Sequence, residues 1–170
     1  MTYVDAQTIA SELVSRLGPH CEQLVIAGSL RRKRPGVNDI DLVLIPKKLP
    51  DFVSAVMDLY GRRPEKCGEK IIMLEHYESQ WHPALKPIQV DLYLATPKTW
   101  ATLLLIRTGS KDHNIKLARR AKECGFQLKA NGDGLINNSG TPDVRLRCDS
   151  EAEIFACLGL PYREPWEREV

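Results

Sequence analysis

The chain has 170 residues, 43% of them apolar, and a formal charge of +2, which allows one ordinary core or two small lobes and excludes a string of independent domains. A charge so near neutral makes no case for a nucleic-acid partner, so any such case rests on how the charges are distributed. Five scattered cysteines, Cys21, Cys67, Cys124, Cys148 and Cys157, lack CxxC spacing, which argues against a disulfide framework or zinc knuckle and fits a reducing, cytoplasmic compartment. The opening "MTYVDAQTIA" lacks a basic region leading into an apolar one, and no later run is long enough to span a bilayer, so neither secretion nor membrane insertion is expected.

In chain order, Ile9, Leu13 and Leu17 fall at helical spacing over residues 5–17, with Gly18-Pro19 as the stop. The short apolar run "LVIA" (24–27) ends at Gly28, and "IDLVLIP" (40–46) has the β-branched and aliphatic content of a central strand closed by Pro46. A helical stretch over 51–60 is followed by two further strands, "KIIMLEHY" (70–77) and "IQVDLYLA" (88–95), around a polar loop containing Trp81. From Thr96 the pattern turns helical, with Thr96 as a cap and Pro97 at the first helical position. A second helix runs from a Ser110 cap to a Gly125 stop, a hairpin turns at "NGDG", and Ser150 with Glu153 forms a capping box for a last helix. The expected fold class is therefore α+β: a mixed sheet with flanking helices over residues 1–96, then a small, mostly helical lobe with a short hairpin over 97–170.

Within this frame, "NDIDLVLIP" places two acids inside an apolar strand. Successive strand side chains alternate faces, so Asp39 and Asp41 project to one side while Ile40 and Leu42 face the other. Their mutual repulsion is relieved by a divalent cation, and hard carboxylate oxygens suit magnesium. Asp91, in a strand able to lie beside the first, completes a carboxylate set of the kind needed for two-metal phosphoryl transfer. Taken alone, the D-x-D tripeptide is common and is better explained by solvated acids at a strand end. Just upstream, Gly28-Ser29 ends a strand and opens a turn where backbone N–H groups can approach an anion, and Arg31, Arg32, Lys33 and Arg34 follow.

The combined "GSLRR" and "DID", spaced as G-S-x-x-R-x(6)-D-x-D, resemble the nucleotidyltransferase signature of the family X DNA polymerases, the group that includes DNA polymerase beta. "RTGSKDHNIKLARRAKECGFQL" and "EAEIFACLGLPYREPWERE" resemble two further segments of that family, so the similarity runs from about Leu24 to Glu169. The resemblance implies a catalytic palm followed by a lobe that holds the nascent base pair. Asp39 and Asp41 would bind both of two magnesium ions, with manganese able to substitute, and Asp91 would bind the catalytic ion and help deprotonate a primer 3′-hydroxyl. Gly28, Ser29 and Arg32 would hold the triphosphate, Arg107 and Gly109 would lie at the nucleotide, and Asn114 would face the base. It further implies a cis Gly109–Ser110 peptide, DNA primer-template or gapped duplex and nucleoside triphosphates as partners, and short-gap filling in repair by a monomer working with a DNA ligase. Its place would be the nucleoid or, for a virus, the replication site.

Three positions depart from the family pattern. Ile106-Arg107 replaces an aromatic pair, Lys33 stands where many relatives carry Gly or Glu, and Asn38 replaces a Gly before Asp39. Loss of the aromatic pair leads us to expect weak selection of deoxy- over ribonucleotides. No lyase, helix-hairpin-helix or phosphoesterase segment is legible, so the expectation is a minimal two-lobe polymerase. The helix over 111–124 carries Lys111, Lys116, Arg119, Arg120 and Lys122 against Asp112 and Glu123, a charge balance that suits either DNA phosphates or a solvated face. The four histidines read as structural or surface residues, Trp100 as core, and Trp81 either as a base-stacking residue or as a hairpin tip folded over the sheet. Two other functions remain open: nucleotidyl transfer to an RNA end, a small molecule or a protein, and DNA binding without turnover.

Overall fold

Thr2, which accepts a hydrogen bond from the Asp5 N–H, caps a helix α1 (Tyr3–Leu17) in the computed structural model, which describes residues 1–137, 145–146 and 148–169. Helix α1 buries Ala6, Ile9, Ala10, Leu13 and Leu17, the face that the sequence spacing predicts. Gly18-Pro19 ends it by tightening the chain into a 3-10 turn (Gly18–His20) that leads into β1 (Cys21–Ile26). A single helical turn α2 (Gly28–Arg31) separates β1 from β2 (Asp39–Pro46), and α3 (Leu49–Tyr60) follows. The short β3 (Lys66–Cys67), absent from the sequence reading, pairs with β4 (Ile71–Tyr77), and β5 (Ile88–Leu94) completes the sheet.

The strand order is β1-β2-β5-β4-β3, antiparallel throughout except for the central β2-β5 pair, which is parallel. Strand alternation then divides the sheet chemically. Ile40, Leu42, Leu44, Ile72, Leu74, Val90 and Leu92 pack in one cluster with the buried faces of α1 and with Phe52 and Val56 of α3. Phe52 is fully buried, so its truncation to Ala is worth about 3–5 kcal/mol of stability. The opposite face of the same strands carries Asp39, Asp41 and Asp91.

The loop from Glu78 to Pro87 is held to α1 by charge and hydrogen bonding. Glu12 accepts hydrogen bonds from Tyr77 Oη at 2.5 Å and from Ser79 Oγ, and the Arg16 guanidinium lies 3.9 Å from the centre of the Trp81 ring. Trp81 is thus engaged by α1. The residue remains 44% exposed.

The chain divides into two compact units, Met1–Leu94 and Ala95–Val170. In the second, α4 (Trp100–Thr108) begins three residues later than the sequence suggests. Thr96 does not cap it: the Thr96 carbonyl accepts from the Thr99 and Trp100 N–H groups, so Thr96-Pro97-Lys98-Thr99 form a turn ahead of the helix. Trp100, at its start, is half-buried rather than core. Helix α5 (Lys111–Glu123) follows, with Ser110 Oγ accepting from the His113 N–H. The strands β6 (Phe126–Lys129), β7 (Gly134–Asn137) and β8 (Arg145–Leu146) form an antiparallel sheet in that order, and α6 (Glu151–Cys157) comes last. At α6 half of the expected capping box forms. Ser150 Oγ accepts from the Glu153 N–H at 3.2 Å, but the Glu153 carboxylate reaches past Ser150 to the Asp149 N–H at 2.7 Å. Ala101, Leu105, Leu117, Ala121, Leu128, Leu135, Ile154, Phe155 and Leu158 make a separate core. Beside it, the fully buried Arg168 pairs with Glu151 at 2.7 Å and donates twice to the Arg163 carbonyl.

Candidate active site

In the first unit, parallel pairing sets Asp41 of β2 beside Asp91 of β5, with Asp39 beside Gln89. One oxygen from each of Asp39, Asp41 and Asp91 lies within 4.8 Å of the others. Partial burial, and then the charge of Asp91, push the Asp39 carboxyl above its ordinary range, with Arg32 opposing them. Sequence reasoning placed Asp39 and Asp41 on one strand face with Asp91 in a neighbouring strand, and missed what orients the third acid. Gln89 Nε2 donates to Asp91 Oδ1 at 3.0 Å, and Tyr93 Oη donates to Oδ2 at 3.1 Å. The signal was available: in "QVDLY" the two-residue period that points Asp91 out of the core points Gln89 and Tyr93 the same way.

The turn that precedes β2 is fitted to these acids. The Ala27 N–H donates to the Asp41 carbonyl at 2.8 Å. Gly28, at φ +57°, sits so close that a Cβ there would fall within the Asp41 carboxylate, so both its backbone angle and its lack of a side chain are required. Ser29 Oγ is buried and has no hydrogen-bond partner. Lys33, at φ +59°, takes a left-handed conformation uncommon for a side-chain-bearing residue, and the turn closes through hydrogen bonds from the Lys33 N–H to Leu30 O and from the Arg34 N–H to Ser29 O. Crowded carboxylates fit a hard divalent cation, and a buried hydroxyl lacking a partner beside them fits an oxygen-rich ligand.

The remaining predicted residues belong to the second unit. Arg107, Gly109 and Asn114 gather where α4 gives way to α5. The Gly109–Ser110 peptide is trans, contrary to the expected cis bond. Gly109 is extended (φ −60°, ψ 158°) and Ser110 enters directly as the cap of α5, so the connection is made without the cost of about 3–4 kcal/mol that a cis non-proline bond carries. A Cβ on Gly109 would lie 2.6 Å from Asn114 Oδ1 and 2.8 Å from His113 Nδ1, so local packing already demands glycine. Asn114 Nδ2 donates to the Ile106 carbonyl at 2.7 Å, while its buried Oδ1 has no hydrogen-bond partner. Arg107 is half-buried with its Nε fully buried, while Ile106 packs against the second core. Along α5, Lys111, Lys116 and Arg119 are exposed, but Arg120 donates through Nε to the Leu158 carbonyl at 2.8 Å. Of the basic residues expected at DNA, Arg120 therefore has a packing role of its own.

Comparison with known proteins matches residues 103–169 to the family model of the DNA polymerase beta thumb. The chain is 31% identical over 170 residues to the DNA polymerase/3'-5' exonuclease PolX of Bacillus subtilis, covering 96% of this chain and 28% of that protein. It is 28% identical over 182 residues to the repair DNA polymerase X of African swine fever virus (strain Badajoz 1971 Vero-adapted), covering 99% of each. Human DNA nucleotidylexotransferase is 39% identical over 183 residues, covering 85% of this chain and 35% of that protein.

Proposed function

The chain belongs to the family X DNA polymerases, and from that premise we propose that it is a template-directed DNA polymerase that adds deoxynucleotides to a primer 3′-end in short-gap repair. The observation that carries this reading is the carboxylate set: Asp41 and Asp91 in register on neighbouring parallel strands, Asp39 within reach of both, and the Gly28-Ser29 turn packed on them. Asp39 and Asp41 would both hold one shared pair of magnesium ions, or manganese in their place, and Asp91 would hold one ion of that pair. Such ions, when bound, lower the pKa of an attacking hydroxyl and offset the charge of a triphosphate.

The chain's own residues do the rest. Gln89 and Tyr93 fix the Asp91 oxygens, so the carboxylate that helps take the primer proton does not rotate away. Ser29 Oγ and Arg32 bind phosphate oxygens, and Gly28 keeps the backbone near enough for its neighbours to do so. We assign Arg107, Gly109 and Asn114 to the nucleotide, and the exposed face of α5, with Lys111, Lys116 and Arg119, to the DNA backbone. Gapped duplex, primer-template and nucleoside triphosphates are the partners this reading requires. A monomer followed by a DNA ligase, in the cytoplasm, nucleoid or a viral replication site, completes it.

Primer extension on gapped, recessed and single-stranded DNA is the test. The natural protein should extend the gapped substrate with magnesium, and Asp91→Ala should lose extension by at least a hundredfold while keeping its fold and much of its nucleotide affinity. Transfer confined to RNA ends or small hydroxyl acceptors would replace the proposal with nucleotidyl transfer of another kind. DNA binding with no transfer in any assay would leave the non-catalytic reading.

A further inference from the structure

Two of the five cysteines meet. Cys148 Sγ and Cys157 Sγ lie 3.9 Å apart, the first ahead of the Ser150 cap of α6 and the second at the last residue of that helix. This is van der Waals contact between sulfurs, and a disulfide needs about 2.05 Å, a closure on the scale of side-chain rotation. Cys157 is exposed and Cys148 is half-buried against the core of the second unit. The other three are placed differently. Cys21 is buried with its thiol on the Leu17 carbonyl, Cys124 points at the Leu158 carbonyl, and Cys67 is exposed on the two-residue strand β3.

We propose that Cys148 and Cys157 are a modification site: a dithiol that small-molecule disulfides, glutathione disulfide in particular, convert reversibly to an intramolecular bridge across α6. Cys157, as the accessible sulfur, gives up its proton and attacks one sulfur of glutathione disulfide. A Cys157–glutathione mixed disulfide forms, and the first glutathione leaves as thiolate and takes up the proton. Cys148 then attacks the Cys157 sulfur, the Cys148–Cys157 bond forms, and the second glutathione leaves with the Cys148 proton. Two protein thiols are oxidised and one glutathione disulfide is reduced to two glutathiones. The order of attack follows from burial: desolvation first, and the neighbouring Cys157 sulfur second, hold the Cys148 thiol well above its usual range, so it serves as the resolving partner.

The bridge would close a short loop around α6, whose Ile154 and Phe155, with the following Leu158, lie in the second core and whose Glu151 holds the buried Arg168. Since the Leu158 carbonyl also receives Arg120, the oxidised form stiffens the anchor of the basic helix α5.

The test is incubation of the intact protein with glutathione disulfide, followed by intact mass and peptide mapping. The expected result is a loss of two hydrogens with a Cys148–Cys157 crosslinked peptide, while the lone exposed Cys67 carries a stable glutathione adduct. Cys148→Ser should leave Cys157 arrested as the glutathione adduct. The bridged protein should melt several degrees higher than the reduced one, as expected for closing a loop in a small domain, and a dithiol reductant should reverse the shift. A stable glutathione adduct on Cys157 of the natural protein, to the same extent as on Cys67 and with Cys148 still free, would overturn the proposal. So would a crosslink to any other cysteine. Neither readout depends on polymerase activity, so the inference and the proposed function fail separately.

Discussion

Asp39 stands in partial burial with two other carboxylates close by, and both conditions oppose its charge. The metal-free protein therefore holds a repulsion that folding has to overcome, as functional sites commonly do. Asp39→Asn removes one charge at nearly constant shape. The expected outcome is a higher melting temperature without metal, a smaller rise on adding magnesium, and loss of primer extension, read by thermal melts with and without the ion. His113 gives a prediction of a different kind. It is 3% exposed, and burial first, with Arg168 and Arg163 after it, lowers its pKa to about 4. The folded protein thus keeps the imidazole neutral where the unfolded chain, with an ordinary value of about 6.5, takes up a proton. The stability linked to this group is present above pH ~6.5 and is lost as pH falls toward about 4, with a slope of up to about 1.4 kcal/mol per pH unit. Urea denaturation at a series of pH values should show this slope, and His113→Phe, which keeps an aromatic ring beside Phe155, should flatten it.

At the scale of the element, α5 divides its cations between two tasks. Lys116 and Arg119 are exposed, and Arg119 pairs with the exposed Glu123 at 3.4 Å, an arrangement worth little to stability. Replacing either with Ala is expected to leave the melting temperature nearly unchanged and to reduce the slope of log affinity for DNA against log salt by about one per phosphate contact. Arg120→Ala should instead lower the melting temperature, because the Leu158 carbonyl loses its charged donor and keeps only the weak, longer contact from the Cys124 thiol. Charge counting alone made Arg119 and Arg120 equivalent, since a hydrogen bond to a carbonyl 38 residues away leaves no mark on local spacing. The same limit applies elsewhere. The strand at 40–46 was legible from its β-branched run, and its two acids from alternation, whereas the order β1-β2-β5-β4-β3 depends on long-range pairing that no local pattern encodes. The two-residue β3 is too short to show a period. Thr96 is acceptable as a cap in isolation, but hydrogen bonding within the turn, where the Thr99 hydroxyl accepts from the Thr96 N–H, starts the helix three residues later.

Each of the two units carries its own core, so a ligand of the carboxylates should stabilise chiefly the unit that contains them. Hydrogen exchange followed by mass spectrometry is expected to show magnesium-dependent protection in peptides spanning β2 and β5 and little change in those spanning β6 and β7. The pairing of β2 with β5 has a further consequence. Asp91 lies directly beside Asp41, on the same face, in the observed register. A slip of one residue would turn Asp91 into the apolar layer and present Val90 or Leu92 in its place. Catalytic competence is therefore all or none with respect to this register, and an imperfectly refolded preparation behaves as a dilution of fully active molecules by inert ones. Its apparent kcat falls in proportion to the native fraction, and its KM for nucleotide stays constant.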